Sequence, residues 1–426
     1  MKRRMFLERC AIGSVLGTLR GRSPGPLGNI TDSIWTETKK RPVGGSRFDV
    51  AVIGAGVFGS WTAWHLAHAG KRVVLLDEYG PANSRASSGG ESRIIRMGYG
   101  ADENYTRLSM RALVLWKEFF ARTGTNLFHR TGLLWIGKRE TTKAKEIQET
   151  LTRCGVAFEK LDHRELTKRY PQFDMNEMTC GILEPESGAL MARRSVQAVV
   201  NDAIKNGVVY EQLAVETPRA KGPLTSLTVN SGNQITAETY VFACGSWLEK
   251  LFPEVLGQRI LPNRQEVFFF GVAPGDASFT PPAMPSWISL HDDTYGLPNL
   301  DNRGLKIAHE DFDKRIDPDT QIRIVSSEAT DRIRQDVARW FPSLKDAPIV
   351  ETRVCQYETT SNRDFIVDRH PGMENVWLVG GGSGHGFKHG PALGEYVSKR
   401  ILGTITPEPR FSLATKQVVP RHTPIK

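Results

Sequence analysis

The chain has 426 residues, 39% apolar and 24% charged, which suits a globular protein of two or three domains. No run of eighteen or more apolar residues occurs, so no helical membrane span is expected. The net charge of +9 gathers near the start, where Lys2, Arg3, Arg4, Arg9, Arg20 and Arg22 face Glu8 alone. No basic and aromatic stripe follows that would suit nucleic acid.

The opening residues set Arg3 and Arg4 before a mildly apolar segment at 10–19. This resembles a twin-arginine export signal. It departs from the usual pattern at Lys2 and Glu8, and no A-x-A cleavage site follows. The expectation is export to the periplasm, with the cytoplasm as the alternative if the leader is inert. Residues 23–46, rich in Pro and Gly, read as a linker, so 1–46 forms leader and linker.

Phe48-Asp49-Val50-Ala51-Val52-Ile53 reads as a buried strand running into Gly54-Ala55-Gly56-Val57-Phe58-Gly59, the GxGxxG pattern. Residues 60–69 read as a helix stopped by Gly70, and 72–77 as a second strand. That strand ends in Asp77, about 20 residues past the glycines, where the dinucleotide fingerprint wants an acid. Gly54 serves the tight turn, Gly56 lets amides approach a pyrophosphate, and Gly59 lets helix and strand pack closely. Val57 and Phe58 open the helix whose N-terminus faces the phosphates, and Asp77 accepts from ribose hydroxyls. The motif predicts a Rossmann unit without separating FAD from NAD.

Further along, Ser87-Ser88-Gly89-Gly90-Glu91-Ser92-Arg93-Ile94-Ile95-Arg96 is a small-residue turn entering a segment with two arginines. Residues 133–137 and 267–270 read as strands of a second domain, and 239–243 and 375–380 as buried strands before glycine turns. A helix is expected at 391–401. The five cysteines, Cys10, Cys154, Cys180, Cys244 and Cys355, show no CxxC pair and no metal-ligand spacing. Neither a disulfide framework nor a metal centre is expected.

The 87–96 segment resembles the monomeric sarcosine oxidase family, which includes N-methyltryptophan oxidase and pipecolate oxidase. Further blocks carry the same resemblance: Gly181-Ile182-Leu183-Glu184-Pro185-Glu186-Ser187-Gly188, Ala243-Cys244-Gly245-Ser246-Trp247, Gly304-Leu305-Lys306, Cys355-Gln356-Tyr357 and Gly382-Ser383-Gly384-His385-Gly386-Phe387-Lys388. The resemblance implies an α/β (α+β) fold, a Rossmann-type FAD-binding domain interleaved with an antiparallel-sheet substrate domain. The first would take 47–130, 186–257 and 346–410, the second 131–185 and 258–345, and 411–426 would be a C-terminal tail. The implied cofactor is FAD, held by Gly54, Gly56, Val57, Phe58, Gly59, Asp77, Ser87, Arg93, Gly382, Gly384, His385, Gly386, Phe387 and Lys388. Cys355 would join it covalently through sulfur. The implied reaction oxidises the C–N bond of a small N-substituted amino acid to an imine and reduces molecular oxygen to hydrogen peroxide. A monomer is implied, with a dimer as the alternative.

Arg96 and Lys388 match the pair that grips the substrate carboxylate, a planar fork and a point charge. Lys306 matches a lysine beside the flavin where positive charge favours electron transfer to oxygen. Arg93 matches an arginine beside the ring, and Tyr295 and Tyr357 match residues shaping the pocket. The match departs at Ser88, Gly89 and Glu310, where sarcosine oxidase has histidines, although His309 is next door. Strand register decides whether Glu310 or His309 enters the cavity. An inward Glu310 would receive a substrate ammonium or a second basic group. Two readings compete at this point: a dehydrogenase feeding a quinone or carrier protein, and a non-catalytic flavin-bearing partner subunit.

Overall fold

The apolar run after Arg47 forms the strand Arg47–Ile53, buried from Val50 to Ile53. The computed structural model describes residues 47–419, so the leader and linker at 1–46 and residues 420–426 lie outside the described residues. The strand Arg47–Ile53 is central to a seven-stranded sheet, with Val73–Leu76 and Gln234–Phe242 parallel on its two sides. Val209–Glu211 and Met373–Gly380 extend the parallel set, and the antiparallel strands Ile366–His370 and Leu227–Thr228 complete it. Side chains alternate across the sheet. Val50, Val52, Val73 and Leu75 join one core with Trp61 and Val397, while Ala51, Ile53, Val74 and Leu76 join another with Leu248 and Phe252. Both faces are therefore covered, which is why these strands read as continuous apolar runs.

Gly54 turns the chain at φ +103°, and a Cβ there would lie 2.4 Å from the Ala243 carbonyl oxygen. A Cβ on Gly59 would lie 1.8 Å from the Gly54 oxygen, so the helix Val57–His68 can start this close only with glycine. That helix packs against Ala192–Lys205 and Gly390–Ile401.

A second sheet has eight strands in the order Ile349–Thr360, Ile260–Phe270, Leu305–His309, Thr294–Leu297, Ser286–Ser289, Leu133–Gly137, Cys180–Glu184, Glu159–Leu161. It is antiparallel except between Ser286–Ser289 and Leu133–Gly137. The helix Ser327–Trp340 covers one face around Phe173, Trp287, Trp340 and Phe341. A third sheet joins Ser92–Ile95, Gly188–Met191 and Phe128–His129. Ile349–Thr360 lies inside the 346–410 stretch read as cofactor-binding, yet it pairs with Ile260–Phe270 in the second sheet. Phe411, in the stretch read as tail, is buried against Tyr105, Phe365 and Tyr396. Among the described residues no helix is long and apolar enough to cross a membrane. Cys154, Cys180, Cys244 and Cys355 are free thiols.

Candidate active site

A cleft of about 730 Å³ is lined by the glycine turn at Gly54 and Gly56 and by a second at Gly382, Gly384 and Gly386. That volume lies within the roughly 300–1,000 Å³ of small-molecule sites. Its lining includes Asp77 and Ser87, and it shares Arg93, Tyr357, Gly384 and Phe387 with an inner cavity of about 110 Å³. Two chambers with a common wall suit a long ligand whose reactive end meets a small substrate.

The cleft fits a dinucleotide on its own geometry. A Cβ at Gly56 would meet only Ser88 Oγ, at 3.5 Å, so the turn is open to the cleft. Asp77 accepts from the amides of Ala55 at 2.7 Å and Tyr79 at 2.9 Å, and thereby ties the turn to the second strand. Burial raises its carboxyl, against the pull of those amides. The Val57 amide donates to Ser88 Oγ at 3.0 Å, a contact the motif does not announce. Of the residues expected at FAD, His385 and Lys388 line the inner cavity alone, and Gly59 and Cys355 line neither chamber.

Glu358 also lines the cleft, and sequence reasoning missed it. It is buried; Oε1 accepts from the Gly382 amide at 3.3 Å, and Oε2 has no hydrogen-bond partner among the described residues. Burial pushes this carboxyl up to about 7. A proton held more tightly in the folded chain lends stability that is fully present below the ordinary value of 4.5 and is lost as pH rises through about 7. Thermal melts should therefore show a loss of about 3 kcal/mol between about pH 5 and about pH 8. Glu358→Gln should flatten that part of the profile.

Near the junction of the chambers lie Arg93, Ser87, Cys355, Lys306 and Tyr357, all expected site residues. Arg93 donates to the Ser87 carbonyl at 2.7 Å and to Cys355 Sγ at 3.4 Å. Ser87 Oγ in turn donates to the Gln356 carbonyl at 2.7 Å, which holds the turn against the strand that carries Cys355 and Tyr357. Lys306 is buried and donates to the Ser92 carbonyl at 2.8 Å. Burial, reinforced by Arg93, pushes its amine well below the lysine range. Its positive charge thus depends on a negative partner arriving beside it.

Arg96 and Lys388 converge on Tyr99, a residue with no spacing signal in the sequence. The Arg96 guanidinium lies 4.3 Å from the centre of the Tyr99 ring and 5.0 Å from that of Trp135, and it bonds the Gly98 carbonyl. Lys388 Nζ donates to Tyr99 Oη at 2.9 Å and to the His385 carbonyl at 2.8 Å. Burial, then the field of Arg96, pushes the Lys388 amine well down. The Tyr99 hydroxyl also lies 2.7 Å from Nε2 of the buried His389 and 3.2 Å from Nδ1 of His385. Tyr295 and Tyr357 line the inner cavity as well. Burial pushes Tyr295 up to about 12 and Tyr357 well above its ordinary value, so both keep their hydroxyl protons.

Register answers the question at 309 and 310. Lys306 and Glu310 line the inner cavity, whereas His309 turns to the opposite face and bonds Asp336 of the helix Ser327–Trp340. Glu310 is exposed on the cavity side and makes no side-chain hydrogen bond or ion pair among the described residues. The surrounding protein still raises its carboxyl through lost hydration, with Arg96 the main opposing charge. Among the described residues no group of three or more His, Cys, Asp or Glu could hold a metal ion.

Residues 49–400 match the family described as FAD dependent oxidoreductase. The chain is 30% identical over 363 residues to monomeric sarcosine oxidase of Bacillus sp. (strain B-0618), covering 84% of this chain and 93% of that protein. It is 32% identical over 368 residues to peroxisomal sarcosine oxidase of Homo sapiens, covering 82% and 91%. Among solved structures, L-proline dehydrogenase from P. horikoshii superposes with a TM-score of 0.76 at 21% identity, covering 86% of this chain and 97% of that one.

Proposed function

The chain belongs to the FAD dependent oxidoreductase family, and on that premise we propose that it oxidises the C–N bond of a small N-substituted amino acid to an imine. The observation that carries this reading is the convergence of Arg96 and Lys388 on Tyr99, at a cavity that shares Arg93 and Tyr357 with the cofactor cleft.

FAD, when bound, supplies the acceptor for the electron pair that leaves with the substrate's C–H hydrogen, and molecular oxygen is the final acceptor, leaving as hydrogen peroxide. The protein's own part is binding, orientation and charge. Arg96 offers a planar fork to the carboxylate, already held by two aromatic faces and a carbonyl. Lys388 gains a proton as the anion arrives, since a neighbouring negative charge reverses the effect of burial. The amine binds neutral; as the imine forms its nitrogen proton passes to solvent, which returns one proton when oxygen leaves as hydrogen peroxide. Tyr295 and Tyr357 wall the reacting carbon off from water, and water later splits the imine into a carbonyl compound and the shorter amine. Lys306 supplies positive charge where oxygen takes up electrons. Oxygen uptake with N-methyl amino acids, matched by peroxide, tests the reading. Rapid reduction of an artificial dye with negligible peroxide would mean a dehydrogenase instead.

Cys355 is the proposed covalent tether, supported by its place beside Arg93, a residue that lines the cofactor cleft. Acid precipitation should leave yellow colour in the pellet, and Cys355→Ala should release it to the supernatant. Colour in the supernatant of the unaltered protein would refute the tether. The cofactor-binding part is taken as 47–130, 186–257 and 346–410 and the substrate part as 131–185 and 258–345, with Ile349–Thr360 common to both. The basic leader is read as an export signal for the loaded enzyme, for which a tethered cofactor would be an advantage.

A further inference from the structure

We propose that Glu310 selects substrates bearing a second, cationic group on the side chain, so that the preferred substrate is an N-substituted basic amino acid rather than a neutral one. The inference rests on the oxidase reading above and sharpens it. In the inner cavity Arg96, Lys306 and Lys388 each donate to a neutral oxygen, of Gly98, Ser92, or Tyr99 and His385. Glu310 lines the same cavity without a partner of its own among the described residues. The cavity thus presents the fixed cation of Arg96, two amines that charge when an anion arrives, and a carboxylate that feels the field of Arg96 but is paired with no side chain, which is a receptor for a ligand with charge of both signs.

Position along the strand says which ligand group Glu310 meets. Lys306 and Glu310 lie on one face of Leu305–His309 and its extension, four residues apart, so their Cα atoms are separated by about 13 Å. Lys306 sits by Arg93 at the junction with the cofactor cleft. Glu310 therefore lies along the wall from the reacting C–N bond, on the side of the cavity where Arg96 lies, and would meet a substituent of the bound amino acid there. Lys143 and Arg363 also send their fields to Glu310, yet neither forms an ion pair with it. The Glu310 amide donates to the Asp293 carbonyl at 3.1 Å, which brings a second cavity-lining carboxylate to the same stretch. A neutral side chain would cover these groups without pairing them, whereas a cation would pair them.

The test uses the holoenzyme with Nα-methyl-lysine and its neutral isostere Nα-methyl-norleucine. The expected ratio of kcat/KM is about 10-fold or more in favour of the lysine compound, the equivalent of one partly hydrated charge pair. Glu310→Gln should bring the ratio close to one, and Glu310→Lys should turn preference toward Nα-methyl-glutamate. Equal or faster turnover of the norleucine compound by the unaltered enzyme, or a ratio untouched by Glu310→Gln, would overturn the proposal and leave the oxidase reading standing. Failure of both compounds to reduce the flavin would overturn both.

Discussion

Replacing Arg96 with Met should lower kcat/KM for N-methyl amino acids by about 2–5 kcal/mol, roughly 30- to 4,000-fold, because a desolvated carboxylate would lose its planar partner. The side chain is pinned by Tyr99, Trp135 and the Gly98 carbonyl, so little ordering is needed when the anion arrives. Lys388→Met should cost a similar amount. The double variant should cost less than the sum, since both cations serve one carboxylate and lean on one tyrosine. The diagnostic comparison is with the decarboxylated amine, whose slower turnover should be nearly indifferent to either change. An equal loss for both substrates would mean that Arg96 and Lys388 hold the fold rather than the substrate.

Lys306→Met should slow reoxidation by oxygen about 10²- to 10³-fold while leaving flavin reduction by the amine far less affected. Met keeps the length and apolar contacts of the buried stem but removes the amine that takes on positive charge when an anion forms beside it. The Ser92 carbonyl loses its donor, a modest cost beside the loss of positive charge where oxygen becomes an anion. Stopped-flow measurement of the two half-reactions separates them. If both slow together, Lys306 supports the local structure and does not act on oxygen.

How much of this was legible in the sequence depends on how local each signal is. The strand, glycine turn, helix and acid at 47–77 follow one another along the chain, and in the resulting unit Gly54 and Gly59 make the close approaches the motif demands, while Asp77 accepts from the Ala55 and Tyr79 amides. Strand alternation is equally local, yet whether Glu310 or His309 turns inward depends on pairing with Thr294–Leu297 and on Asp336 of a later helix. Membership of a sheet is less local still. Ile349–Thr360 finds its partner in Ile260–Phe270, far back along the chain, and nothing within 349–360 identifies that neighbour. Arg96 and Lys388 stand almost the whole domain apart in sequence, and family likeness alone brought them together as a pair. Tyr99, His389 and Glu358 carry no signal in the sequence because a single aromatic, histidine or acid has no period or spacing, and the contact of Ser88 with the Val57 amide has none either. They become visible once the backbone folds a partner against each of them.

The central claim is that a cation-lined cavity delivers an anionic amine to the FAD cleft. Anaerobic mixing of the holoenzyme with an N-methyl amino acid, followed by flavin absorbance, tests it most directly. The account predicts rapid bleaching that saturates with substrate and is far weaker with the matching amine that lacks the carboxylate. Bleaching that ignores the carboxylate, or none with any N-methyl amino acid, would contradict it.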